Sequence, residues 1–226
     1  MRLGKNSFSL VQQKTELVIN EIFYSIQGES SRVGLPTTFI RLTGCPLRCQ
    51  YCDTEYAFTG GEKMKIETIL DKVKKFPTKY ITVTGGEPLA QKACNKLLKS
   101  LCNNGYDVSL ETSGAIDVSN VDKRIKKIVD IKTPGSSEVE KNNYGNLKHL
   151  TIRDEIKFVI CNRADYVWAK QKIIKEKMSS ICEICFSPVT ETLAPSELAN
   201  WILEDSLDVR MQIQLHKYLW GDAPGK

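Results

Sequence analysis

The sequence predicts an α/β protein: a partial, open β/α barrel of about six parallel strands, formed as a single domain. Three observations lead there. Segments rich in β-branched and aromatic residues alternate with amphipathic stretches of roughly ten to fifteen residues, the pattern of βαβ units. The repeats number about six or seven, too few for a closed eightfold barrel. Residues able to do chemistry fall just after the strands, at 45–52, 85–88, 111–114, 132–136, 187–189 and 214–217. That carboxyl edge is where parallel α/β sheets bind ligands.

Residues 1–15 are polar and read as a loose arm, which leaves 16–226 as the domain. ELVINEIFYSIQGES, from residue 16, is extended and runs into a glycine-containing turn. TTFIRLTG (37–44) is a strand. In KIETILDKVKKF, Ile66, Ile69, Leu70, Val73 and Phe76 recur at three- and four-residue steps, so this is a helix, ended by Pro77. KYITVT (79–84) is a strand, followed by Gly85-Gly86-Glu87-Pro88. LAQKACNKLLKSLCNNG (89–105) carries an apolar helical stripe that includes Cys94 and Cys102, and Asn104-Gly105 closes it. DVSLETSG is a strand, and a basic helix is expected near 119–127. KIVDIKT (127–133) is a strand, followed by a loop and a weak helix to about 151. EIKFVI is a strand, ADYVWAKQKIIKEKM a helix, SICEICFSPV a strand and APSELANWILEDS a helix with Pro195 in its first turn. VRMQIQLH (209–216) alternates cleanly and reads as the last strand.

The chain has 226 residues and a formal charge of +5, from 32 basic and 27 acidic side chains. That surplus is mild. Lys72, Lys74 and Lys75, and the group Lys123, Arg124, Lys126 and Lys127, sit among apolar residues and read as solvated helix faces, not as a nucleic-acid stripe. A small anionic substrate suits the balance. No apolar run approaches the ~20 residues of a membrane span, and the first residues lack the apolar stretch of a signal peptide. A cytoplasmic setting is expected, where thiols stay reduced. The eight cysteines then suggest metal or redox chemistry and not a disulfide framework.

Cys45, Cys49 and Cys52 form C-x3-C-x2-C directly after a strand. Structural zinc wants four ligands, and His149 and His216 are distant in the chain. A cubane iron–sulfur cluster held by three thiolates keeps one iron open to a substrate or cofactor. Gly44 lets the loop turn, Pro46 stiffens it, and Arg48 offers charge to the cluster. Gly85 and Gly86 lack a Cβ and allow close approach of a cofactor, while Glu87 carries a carboxylate suited to an ammonium. The same four residues also describe an ordinary tight turn. Cys182 and Cys185 fall on opposite faces of a strand and read as buried structural thiols. Cys94 and Cys102 read as core, Cys161 has no evident role, and His216 reads either as site-facing or as structural.

The triad after one strand and Gly-Gly-Glu-Pro after the next resemble the radical S-adenosylmethionine superfamily. IFYSIQGES (22–30), FIRLTGCPLRCQYCDT (39–54), TGGEPL (84–89), ETSG (111–114) and QLHKYLWG (214–221) further resemble its 7-carboxy-7-deazaguanine synthase family. The resemblance implies a [4Fe-4S] cluster on Cys45, Cys49 and Cys52 whose open iron chelates S-adenosylmethionine. It places that cofactor against Tyr51, Cys52, Asp53 and Gly86, and against Glu87, Ser113, Lys132 and Thr133. It gives the substrate to Ile26, Gln27, Gly28, Arg41 and Thr84, and Mg²⁺ to Thr54. The reaction implied converts 6-carboxy-5,6,7,8-tetrahydropterin to 7-carboxy-7-deazaguanine with loss of ammonia, on the route to queuosine and other deazapurines. A 5′-deoxyadenosyl radical takes the hydrogen at C6, the ring contracts, and S-adenosylmethionine is regenerated. The family further implies a homodimer, a flavodoxin or ferredoxin electron donor, and neither nucleic acid nor membrane as partner. VDIKTPGSS (129–137) departs from the Ser-Pro-Lys that many members carry there. The rival readings are an activating enzyme for a glycyl-radical partner and a non-catalytic metal-binding module.

Overall fold

The computed structural model describes residues 16–221, 223 and 225. The arm expected at 1–15 lies outside the described residues. The strands are β1 (Glu16–Ile26), β2 (Pro36–Leu42), β3 (Glu62–Lys65), β4 (Tyr80–Gly85), β5 (Asp107–Thr112), β6 (Lys126–Asp130), β7 (Glu155–Ile160), β8 (Glu183–Pro188) and β9 (Arg210–Met211). The helices are α1 (Ile66–Val73), α2 (Cys94–Asn103), α3 (Arg163–Lys175), α4 (Pro195–Glu204) and α5 (Leu215–Trp220). All nine strands join one sheet in the order β3-β1-β2-β4-β5-β6-β7-β8-β9. From β2 onward every pairing along that order is parallel, while β1 pairs antiparallel with both β2 and β3. The expected partial barrel is therefore present, with an antiparallel pair added at one edge.

Strand alternation decides what is core and what is site. Ile81 and Val83, Val108 and Leu110, Ile156 and Phe158, and Ile184 and Phe186 are buried in the core cluster with Ile69, Leu97, Leu98, Tyr166 and Ile173 of the helices. The residues between them point to the other face, because side chains alternate along a strand. There stand Thr84, Glu111, Asp130, Glu155, Lys157 and Cys185, all lining one cavity. The fold thus turns its polar strand faces inward.

Several sequence expectations are corrected. No helix forms at 119–127: the Asp117 side chain takes the Ser119 N–H and the Asp122 side chain the Arg124 N–H, local bonds that compete with a helix. Lys126 and Lys127 instead lie on β6, paired with Glu155 at 2.7 Å and Asp154 at 3.1 Å, so they are not a solvated helix face. The helix expected from residue 89 starts at Cys94, because the Gln91 amide is spent on the backbone of Val18 and Thr43. The weak helix before residue 151 is a series of short 3-10 turns. Glu62–Lys65 is a strand that its charged sequence did not announce.

The last strand is also shorter than its alternation suggests. It ends at Met211; the Gln212 N–H still donates to the Phe186 carbonyl of β8 at 2.9 Å, and beyond it the chain turns to the loop after β1. Gln212 brackets Ser30, accepting from its N–H at 2.7 Å and donating to its carbonyl at 2.9 Å. The Leu215 N–H donates to the Gly28 carbonyl at 3.1 Å, and the Gln214 amide donates to Glu29 at 3.0 Å. These bonds bridge the gap between β1 and β9 at the rim, so an open sheet encloses a cavity.

Candidate active site

The cysteine loop is set by its glycines and by backbone bonds. Gly44 has φ +98°, donates to the Ala57 carbonyl and accepts from the Glu87 N–H at 2.8 Å. Arg48 folds back onto the carbonyls of Cys45 and Leu47 and lies over the Phe58 ring at 4.3 Å. Its guanidinium shapes the loop and its charge still acts on the Cys45 thiol, while the charge of Lys132 acts on all three thiols. Cys45, Cys49 and Cys52 line one cavity of about 290 Å³. Burial pushes the Cys49 thiol up to about 11; Lys132 opposes this, while Asp130, Cys52 and Cys45 add to it. Among the described residues, no three or more His, Cys, Asp or Glu side chains converge as a site for one metal ion. A cubane spreads its corners, so its thiolates do not meet at a point.

The glycine turn is packed against that loop. A Cβ on Gly86 would lie 2.4 Å from the Gly44 oxygen and 2.7 Å from the Cys45 Cβ; one on Gly85 would lie 2.2 Å from the Leu42 oxygen. The absent side chains make room for the cysteine strand-loop, where the sequence suggested room for a cofactor. Gly86→Ala is therefore expected to displace Cys45 and to lower stability by about 1–3 kcal/mol. Iron bound after anaerobic reconstitution should fall by more than half, and full iron loading would refute this packing argument.

Glu87 and Thr133 are placed differently from the sequence expectation. Glu87 is 0% exposed and accepts from the Leu89 N–H, the Thr112 hydroxyl, and the Ser113 N–H and hydroxyl. It ties the glycine turn to the end of β5 and offers nothing to the cavity. Thr133 is fully buried and donates to the Val159 carbonyl at 3.1 Å. Ser113, Lys132, Tyr51, Cys52, Asp53 and Gly86 do line the cavity. Lys132 pairs with Asp130 at 2.7 Å. The buried Tyr51 hydroxyl and the Asp130 Oδ1 have no hydrogen-bond partner among the described residues. Buried polar atoms are rarely left so, and a polar guest beside the cysteine loop would satisfy both. The residues present fit a cluster with a polar cofactor next to it.

The opposite wall holds Ile26, Gln27, Gly28, Arg41, Thr84 and Thr54, which the fold does bring together. Gln27 is 3% exposed, and its amide donates to Thr82 at 3.1 Å and Glu111 at 3.3 Å while accepting from the Glu29 N–H. It holds the Glu111 carboxylate and the Glu29 backbone more than it offers free edges. The Thr84 hydroxyl donates to Glu111 at 3.0 Å, and the Thr54 hydroxyl donates to Asp53 at 2.6 Å. The Gln214 amide also donates to Asp53, at 3.1 Å. Gly28 leaves room for His216, whose Nδ1 would lie 2.3 Å from an added Cβ. His216 thus faces the cavity, and burial holds it below the usual histidine range despite Glu29 and Asp53.

Glu29, Glu111, Asp130 and Lys157 are the residues that sequence reasoning passed over. Lys157 forms a close ion pair with Glu29, both side chains being 13% exposed. Burial opposes its charge, but Glu29, Asp130 and Glu111 hold it above the ordinary lysine range. Burial likewise opposes ionisation of Glu29, and Lys157 overcomes it, so Glu29 sits below the glutamate range. Burial and the charge of Glu29 push Glu111 above it. A charged residue in the middle of an apolar strand, as in EIKFVI, was the available signal. Cys185 lines the cavity while Cys182 joins the core, in keeping with opposite faces.

An open β/α sheet with a three-cysteine loop at its carboxyl edge defines the class, and residues 39–136 match the Radical SAM superfamily. The 7-carboxy-7-deazaguanine synthase of Chlorobaculum tepidum is 47% identical over 92% of this chain and 97% of its own length. That of Koribacter versatilis is 44% identical over 89% and 96%. The crystal structure of QueE from Escherichia coli superposes with a TM-score of 0.73, covering 90% of this chain and 96% of that one at 23% identity, a likeness of fold. The chain belongs to the 7-carboxy-7-deazaguanine synthase family of radical SAM enzymes. Neither the activating-enzyme reading nor the non-catalytic module is favoured by these relatives.

Proposed function

We propose that the protein contracts the ring of 6-carboxy-5,6,7,8-tetrahydropterin to give 7-carboxy-7-deazaguanine and ammonia. One observation carries this reading: the cysteine loop and the polar strand faces open into a single cavity. Cys45, Cys49 and Cys52 would hold a [4Fe-4S] cluster, with S-adenosylmethionine against Tyr51, Asp53, Gly86, Ser113 and Lys132. When bound, these groups supply the organic radical, and the protein's share is binding, orientation and electrostatics.

The chain's own residues do the rest. Arg41 would take the substrate carboxylate, and the Thr54 hydroxyl oxygen, whose proton goes to Asp53, would be the side-chain ligand offered to Mg²⁺, a hard cation that takes oxygen ligands. Glu29 and Glu111 face each other with opposite proton preferences, the arrangement that lets one accept and the other donate. Lys157 holds Glu29 below the ordinary glutamate range against its burial, while burial and the charge of Glu29 hold Glu111 above it. The rim bonds from Gln212, Gln214 and Leu215 fix the loop after β1, which carries Gln27, Gly28 and Glu29, against the end of the chain. A homodimer, a flavodoxin or ferredoxin donor and a cytoplasmic setting complete the reading. Among the described residues, no helix is long and apolar enough to cross a membrane.

The test is anaerobic reconstitution followed by turnover with carboxytetrahydropterin, S-adenosylmethionine and Mg²⁺. Ammonia and deazapurine absorbance are expected from the wild-type protein, and neither from Cys49→Ala, which should also lack the visible chromophore. A loaded cluster with no product in wild type would defeat the proposal.

A further inference from the structure

Arg41 stands in a prepared setting. The register of β1 against β2 shifts between Ile19 and Glu21. Before the shift Ile19 pairs with Leu42, both in the core; after it Glu21 pairs with Arg41 and Phe23 with Phe39. Phe23, Phe39 and Arg41 all line the cavity. Bulges re-aim side chains, and this one turns the face carrying Glu21 from core to cavity. Glu21 then accepts from the Arg41 Nε at 2.6 Å, and the same oxygen accepts from the Tyr56 hydroxyl at 2.9 Å. The guanidinium carbon lies 5.8 Å from the Phe23 ring centre and 5.7 Å from that of Tyr56. The two terminal nitrogens of Arg41 have no hydrogen-bond partner among the described residues.

We propose that Glu21 and Tyr56 are positioning residues that fix Arg41 so that its terminal nitrogens form a fork for a substrate carboxylate. The inference rests on the reading of Arg41 as the carboxylate site. A guanidinium has two edges able to grip a carboxylate in a bidentate way. Glu21 occupies the Nε side, so only the end-on edge remains for a ligand. Tyr56 lies in the turn following the cysteine loop, so the same loop that carries the thiols also sets the substrate's orientation. Freezing the fork beforehand spares a binding carboxylate the cost of ordering a long side chain.

The opposite view is that Glu21 merely offsets the charge of Arg41. The two views differ in sign. If Glu21 only neutralises, its removal strengthens anion binding; if it positions, its removal weakens it. The measurement is calorimetric binding of 6-carboxypterin and of unsubstituted pterin to the anaerobic, cluster-loaded protein, with the ratio of the two affinities as the readout. Loosening of the cavity in general affects both ligands and leaves the ratio unmoved. Glu21→Ala is expected to cut the ratio about 10-fold or more, and Tyr56→Phe a few-fold. Glu21→Gln is expected to recover most of it, because its carbonyl oxygen still accepts from Nε. An unchanged or increased ratio in Glu21→Ala overturns the proposal; should that variant not fold, an unchanged ratio in Tyr56→Phe does so. Arg41→Lys separates the two levels. A ratio lost in Arg41→Lys but kept in Glu21→Ala rejects positioning alone, and a ratio kept in both rejects the carboxylate site itself.

Discussion

Lys157→Met is expected to lower stability by about 3–5 kcal/mol at pH 8, the usual consequence of removing one partner of a buried ion pair. Methionine replaces the aliphatic stem, so little packing is lost. What remains is Glu29, largely buried, facing Glu111 without its cation. The pH dependence fixes the cause. In the wild type the folded Glu29 is depressed, so its contribution is present above the unfolded value of about 4.3 and is lost as pH falls through the folded one. The folded Lys157 is raised, so its contribution is present below about 10.4 and is lost as pH rises through the folded value. Both are therefore intact between roughly pH 5 and 10. In the variant, Glu29 prefers its proton, and the stability deficit grows as pH rises from 5.5 to 8. Urea unfolding at those two pH values, followed by tryptophan fluorescence under anaerobic conditions, checks this. Lys157→Met/Glu29→Gln should recover part of the loss, since it removes the stranded charge. An equal deficit at both pH values would mean that packing, not charge, was lost.

The same pair shows where sequence reasoning stopped. The alternation of strands and helices was legible because each element repeats a period, and Ile81-Thr82-Val83 or Ile156-Lys157-Phe158 displays it plainly. The cysteine loop was legible because its spacing is local. Lys157, Glu29 and Glu111 were not, because they come from three separate elements and acquire a common role only when those elements curve around one cavity. Glu87 and Gly86 have structural partners that the sequence did not show, for a related reason. Their residue types fit a ligand, but a Cβ-free approach and a buried carboxylate serve neighbouring backbone equally well, and the neighbours here are Gly44, Thr112 and Ser113. The end of the last strand was hidden too. Gln212 alternates as a strand residue should, yet its side chain is claimed by Ser30, 182 positions away.

Glu111→Gln is expected to stabilise the protein while nearly abolishing turnover. In the wild type, burial and the charge of Glu29 raise the Glu111 carboxyl. A raised carboxyl is the reverse case of linkage: the folded state binds the extra proton, so stability declines as pH rises from the unfolded value of about 4.3 through the folded one. Glutamine carries no charge to repel Glu29 and escapes that penalty. Its hydrogen bonds also survive. The amide oxygen can accept from Gln27, which donates to Glu111 Oε1, and the amide N–H₂ can face Thr84, whose hydroxyl turns to accept. A gain of about 0.5–2 kcal/mol above pH 7 is typical when a site residue held against its preference is neutralised. Turnover, by contrast, should fall by about 10²–10⁴-fold, the usual worth of a positioned proton donor or acceptor. Urea midpoints at pH 5 and 8, together with ammonia release by the cluster-loaded protein, supply both numbers. Stability gained at pH 8 and absent at pH 5, with turnover lost, is the expected result. Turnover within a few-fold of wild type would remove Glu111 from the chemistry and leave it a structural partner of Gln27 and Thr84.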